Sequence, residues 1–145
     1  MRSEQEAIDF LTNLVQEIDM KIIKGPFSSY VDKDGNKGLT AIVMIETSHI
    51  AFHIWDEVDP GLLQFDLYTC GSLDVDKVFR ILIEAFTLDS MEYQLFDREN
   101  GFVVEQEGNL SDGVWYNKYT NGLQLDEKAL DPNVGGWFGN KKENE

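Results

Sequence analysis

Apolar positions in the first twenty residues recur at helical spacing, with Ile8, Leu11, Leu14 (or Val15) and Ile18 on one face of a 3.6-residue repeat. Ser3 followed by Glu6 matches a capping box, so residues 3 to 19 are expected to form an amphipathic helix whose stripe needs a sheet or partner to cover it. Leu39 to Glu46 is rich in β-branched and apolar residues. His49 to Trp55 alternates, setting His49, Ala51, His53 and Trp55 against Ile50, Phe52 and Ile54. Both segments predict strands. Leu63 to Cys70 predicts a third, and the turn Asp59-Pro60-Gly61 before it predicts antiparallel pairing with its predecessor. Val75, Val78, Phe79, Leu82 and Phe86 mark a second helix. Glu92 to Phe96 and Gly101 to Glu105 then predict a hairpin bridged by Asp97 to Asn100. The expected fold class is α+β, a two-layer sandwich of a mainly antiparallel sheet with two helices on one face.

From Asn109 onward, Gly, Asn and Asp alternate with Trp115, Tyr116, Tyr119, Leu123, Leu125, Trp137 and Phe138, a mixture too aromatic for a free tail. This segment is expected to pack on the domain, leaving Lys141 to Glu145 disordered. With 145 residues, 42% of them hydrophobic, and no repeat or low-complexity linker, one domain over residues 1–145 accounts for the chain. No apolar run approaches the roughly 18 residues of a membrane span, and no signal-peptide core precedes the first helix, so a soluble cytoplasmic protein is expected. The single cysteine, Cys70, cannot form an internal disulfide and suits a reducing compartment. A formal charge of -15 argues against nucleic acid or an anionic membrane as partner, since either would need a basic surface.

Three decoys weaken on inspection. Asp32, Asp34, Gly35 and Asn36 imitate a calcium loop, but Val43 stands where its glutamate belongs and Lys37 where its glycine belongs. A Gly-containing turn explains the same residues. His49 and His53 lie roughly 13 Å apart along a strand, too far to chelate one metal, so no metal is expected. A serine and a histidine without a G-x-S-x-G elbow make a poor hydrolase. Taken singly, a strand histidine is more often a half-buried side chain and a cysteine a small hydrophobe. Jointly, Ser48, His49, His53 and Cys70 gather a hydroxyl, two imidazoles and a thiol around adjacent strands.

The stretch Gly38-Leu-Thr-Ala-Ile-Val-Met-Ile-Glu-Thr-Ser-His-Ile-Ala-Phe-His-Ile-Trp-Asp-Glu57, continued by Phe65-Asp-Leu-Tyr-Thr-Cys-Gly71, closely resembles the signature of the prokaryotic pyruvoyl-dependent S-adenosylmethionine decarboxylase proenzymes. A hydrophobic strand runs into Ser-His, a second histidine and Trp-x-Glu follow, and a later strand ends in Thr-Cys-Gly. The resemblance implies that the Ser48 hydroxyl attacks the Thr47 carbonyl in an N-to-O acyl shift. β-Elimination then splits the chain between Thr47 and Ser48 and leaves a dehydroalanine that hydrolyses to a pyruvoyl group. That group would stand in for pyridoxal phosphate, forming a Schiff base with the substrate amine and taking up the electrons released with carbon dioxide, so neither added cofactor nor metal is implied.

By the same resemblance, His53 assists self-processing, Thr40 supports it where the family usually has serine, and Cys70 returns a proton to the substrate carbon. Trp55 and Glu57 fall at the substrate-pocket or dimer side, where a carboxylate could bind ribose hydroxyls. The implied partners are S-adenosylmethionine and a second copy in a homodimer, and the implied role is spermidine biosynthesis. Three features depart from the family: Thr47 replaces the usual glutamate, the usual strand before the first helix is missing, and residues 109–145 form an extension that could cover the edge so exposed. They leave two alternatives: a pyruvoyl-dependent decarboxylase of arginine or ornithine, or an unprocessed homologue with a regulatory or binding role.

Overall fold

The computed structural model describes residues 1, 3–99, 101–111, 114–119 and 126–130, with side chains described through 111. The chain divides into two compact units, Met1–Phe86 and Thr87–Glu145.

In the first unit, helix α1 spans Glu4–Glu17 and opens as its sequence predicts, the Ser3 hydroxyl accepting the Glu6 N–H at 3.1 Å. Four strands follow or flank it: β1 (Ile22–Val31), β2 (Gly38–Ile45), β3 (Ser48–Trp55) and β4 (Leu62–Thr69), antiparallel in the order β1-β2-β3-β4. Helix α2 (Val75–Phe86) completes the unit. Alternation along β2 and β3 sends Leu39, Ala41, Val43, Ile45, Ile50 and Phe52 to one face, where they are buried with Leu11, Leu14 and Val15 of α1 and Val78 and Leu82 of α2. The rings of Phe10, Phe52 and Phe86 meet edge to face at 5.0 to 5.8 Å, tying both helices to the sheet. This is the predicted two-layer sandwich, with both helices on one face.

The other face of the sheet carries no element of its unit. Phe27, Ile42 and Met44 are each about half exposed there. Strand β1 has no counterpart among the predicted elements. It contains Gly25-Pro26, and its pairing with β2 shifts register twice, between Ile22 and Lys24 and between Lys24 and Phe27. Such irregularity is what an edge strand tolerates, and it erases the two-residue rhythm by which strands are recognised.

In the second unit β5 (Ser90–Asp97) and β6 (Val103–Ser111) form the predicted hairpin, β5 longer at both ends than expected and β6 starting two residues later and running on to Ser111. With β7 (Val114–Tyr119) and β8 (Asp126–Leu130) it builds a separate four-stranded antiparallel meander. The packing expected of Trp115 to Phe138, and the disorder expected of Lys141 to Glu145, lie outside the residues whose side chains are described.

Candidate functional site

Two residues, Glu46 and Thr47, join β2 to β3, with Ile45 and Ser48 paired across the turn. Ser48 has φ 146°, in a region that L-residues rarely occupy and that costs on the order of 1–3 kcal/mol. The turn is held from both sides. On the β1 side the Glu46 N–H donates to the Lys21 carbonyl at 3.0 Å, and the two side chains form an exposed ion pair at 2.8 Å. That hydrogen bond and charge raise the Lys21 pKa above its ordinary value. On the other side β4 ends at Thr69, and the next residue, Cys70, donates its backbone N–H to the Thr47 carbonyl at 3.2 Å. An open cavity of about 350 Å³ lies against the turn, lined by Met20, Lys21, Glu46, Thr47, Gly71 and Ser72 among others.

Ser48 Oγ lies 3.1 Å from Nδ1 of His49, and Nε2 of His49 lies 3.1 Å from Oδ2 of Asp66 on β4. The Tyr68 ring meets the same imidazole edge to face, centroids 6.0 Å apart. Thr47, Ser48 and Cys70 are thus brought together at one end of the sheet, with His49 and Asp66 beside them.

The remaining predicted residues gather further along β3. Thr40 on β2 stands opposite His53, its hydroxyl hydrogen-bonded to Nδ1 of the imidazole. The His53 ring packs on Trp55 with centroids 3.9 Å apart, and its Nε2 is buried with no hydrogen-bond partner among the described residues. Trp55 donates its indole N–H to Asn36 at 2.8 Å. The Glu57 carboxylate accepts the N–H groups of Gly35 and Lys37 at 2.9 and 3.1 Å, which lowers its pKa below the ordinary carboxylate value. Both residues therefore grip the loop between β1 and β2. In that loop Lys37 pairs with Asp34 at 3.1 Å and Asp32 at 3.6 Å, and among the described residues no group of three or more His, Cys, Asp or Glu could hold a metal ion. No described helix is long and apolar enough to cross a membrane.

Sequence reasoning did not find Asp66, nor the use of the Cys70 amide as opposed to its thiol. The signal for Asp66 was available. Once β3 and β4 pair antiparallel, Asp66 stands opposite Ala51, on the face that alternation already gives to His49.

A family model described as S-adenosylmethionine decarboxylase matches residues 1–99. An S-adenosylmethionine decarboxylase proenzyme of Archaeoglobus fulgidus is 31% identical over 91 residues, covering 62% of this chain and 80% of that protein. A proenzyme of the same name from Picrophilus torridus is 28% identical over 112 residues, 76% of this chain and 80% of its own. One from Aquifex aeolicus is 37% identical over 76 residues, 52% of this chain and 53% of its own. No solved structure matches the chain significantly.

Proposed function

The chain belongs to the S-adenosylmethionine decarboxylase family, and from that premise we propose that it is a self-processing decarboxylase of S-adenosylmethionine that cuts itself between Thr47 and Ser48. The hydrogen bond from the Cys70 amide to the Thr47 carbonyl carries this reading. That carbonyl is the electrophile the Ser48 hydroxyl must attack, and a backbone N–H already aimed at its oxygen stabilises the charge that develops there. The strained φ of Ser48 favours the same step, because a bond held in a costly conformation has less far to climb.

The step balances within the chain. Ser48 Oγ bonds to the Thr47 carbonyl carbon, the bond from that carbon to the Ser48 nitrogen breaks, and the hydroxyl proton passes to the nitrogen, leaving an ester and a free amine. Loss of the Ser48 α-proton then expels the Thr47 carboxylate from Cβ. Water converts the resulting dehydroalanine to the pyruvoyl group with release of ammonia. The residues fit the group, since its precursor hydroxyl and the carbonyl it attacks belong to adjacent residues. Ser48 would carry it, and Cys70, first residue past the paired strand, would present its thiol beside it. When present, the pyruvoyl group supplies the ketone that binds the substrate amine and draws off the electrons of decarboxylation. Cys70 then returns a proton to the substrate carbon.

Five positions of one strand separate Ser48 from His53, about 16 Å by strand rise, so His53 cannot assist Ser48 of its own chain. A processing role for His53 would therefore be exerted on the Ser48 of a second copy. A homodimer packed through the sheet face opposite the helices would supply it and would bury Phe27, Ile42 and Met44. With Nδ1 of His53 hydrogen-bonded to Thr40, Nε2 is its nitrogen without a partner among the described residues. The product would feed spermidine biosynthesis in the cytoplasm.

The test is the intact mass of freshly purified, denatured protein beside its Ser48→Ala variant, followed by carbon dioxide release from S-adenosylmethionine, arginine and ornithine. Two fragments meeting at Thr47 and Ser48, an uncut variant and release from S-adenosylmethionine alone are expected. Release from arginine or ornithine instead would keep the processing chemistry and replace the substrate, and an uncut wild-type chain would point to a non-catalytic homologue.

A further inference from the structure

Resting on the self-processing reading, we propose that His49 is the base that removes the Ser48 hydroxyl proton and that Asp66 is the positioning residue that sets its tautomer. The chain of contacts is continuous, Ser48 Oγ to His49 Nδ1 at 3.1 Å and His49 Nε2 to Asp66 Oδ2 at 3.1 Å. An ionised carboxylate can only accept, so Asp66 draws the imidazole proton to Nε2. Nδ1 is then left bare, facing the one hydroxyl that must lose a proton. His53 does not compete for this role within the chain, since it lies at the Thr40 pair further along β3.

Proton bookkeeping closes on these atoms. Nδ1 takes the proton as Ser48 Oγ bonds to the Thr47 carbonyl carbon. The imidazolium, stabilised by Asp66, returns it to the Ser48 nitrogen as the carbon–nitrogen bond breaks. Nothing further is consumed. Among the described residues, Asp66 and Tyr68 from β4 and Met44 from β2 face His49, and Asp66 is the carboxylate hydrogen-bonded to it. The Asp66 side chain is 71% exposed and that of His49 38% exposed, so water weakens the pair and Asp66 is the smaller contributor.

The experiment follows the rate of appearance of the two fragments by mass in full-length wild type, His49→Ala, His49→Gln and Asp66→Asn, across pH and with added imidazole. Wild-type cleavage is expected to slow toward acid, where an imidazolium can accept no proton. His49→Ala and His49→Gln should each slow cleavage at least about 100-fold, the scale of general-base catalysis. Imidazole should restore the alanine variant, and Asp66→Asn should cost about tenfold and displace the acid limb. Wild-type rates in His49→Gln, or slow cleavage in folded His49→Ala that imidazole leaves unchanged, would reduce His49 to a packing role and overturn the proposal while leaving self-processing intact. A folded wild type that never cleaves would instead overturn the self-processing reading, and this inference with it.

Discussion

Cys70 contributes to the site through two different atoms, and substitution can separate them. Its amide lies on the Thr47 carbonyl whatever the side chain, whereas in the proposed mechanism its thiol has a task only after the cut. Cys70→Ala is therefore expected to cleave within a few-fold of the wild-type rate, as read by intact mass. It should lose decarboxylation by about 100-fold or more, as read by carbon dioxide release, the range of a missing general acid. Cleavage that fails in this variant would mean that the thiol acts in processing. Resemblance pointed to a side-chain role for Cys70 and could not point to its backbone amide, which has no sequence signature. Asp66 was legible only once β3 and β4 are paired, which sets it on the face of His49, whereas nothing in the sequence marks the Glu57 carboxylate as taken up by the Gly35 and Lys37 amides.

Among the elements, the β2–β3 hairpin sets the geometry, and its far end depends on Gly38. A Cβ there would fall 1.7 Å from the Ile54 carbonyl oxygen and 2.8 Å from its carbon, on backbone that cannot move without breaking the β2–β3 pairing. Gly38→Ala should cost at least about 2 kcal/mol, measured by denaturant titration in a Ser48→Ala background so that every chain is uncut. The regular elements were readable: both helices, β3 and β4 carry periods of 3.6 or 2, and β2 is a run of β-branched and apolar residues. Strand β1 was not readable, because two register shifts and Gly25-Pro26 spoil its alternation. The strand that follows α1 supplies the fourth member of the sheet.

For the whole molecule, the distance between Ser48 and His53 makes a prediction about pairs of chains. Ser48→Ala and His53→Ala chains, each uncut when pure, are expected to yield cut His53→Ala chains when refolded together, because each supplies what the other lacks. Fragments absent from the mixture would mean that a second copy does not supply His53 and that Ser48 and His53 act within one chain. Every copy carries a formal charge of -15, so added salt should speed this exchange of partners toward association. The position of the cut has a further consequence. Residues 1–47 hold α1, β1 and β2, and residue 48 onward holds β3, β4 and α2, so Phe10 would belong to one piece and Phe52 and Phe86 to the other. After cleavage, the connection that a two-residue turn provided at no cost in concentration is gone, and only strand pairing and the shared core keep the pieces together. A matured molecule that unfolds becomes two solutes that must find each other again, and its recovery then depends on dilution. Maturation would thus turn a chain able to refold unaided into one whose shape is inherited from its uncut precursor.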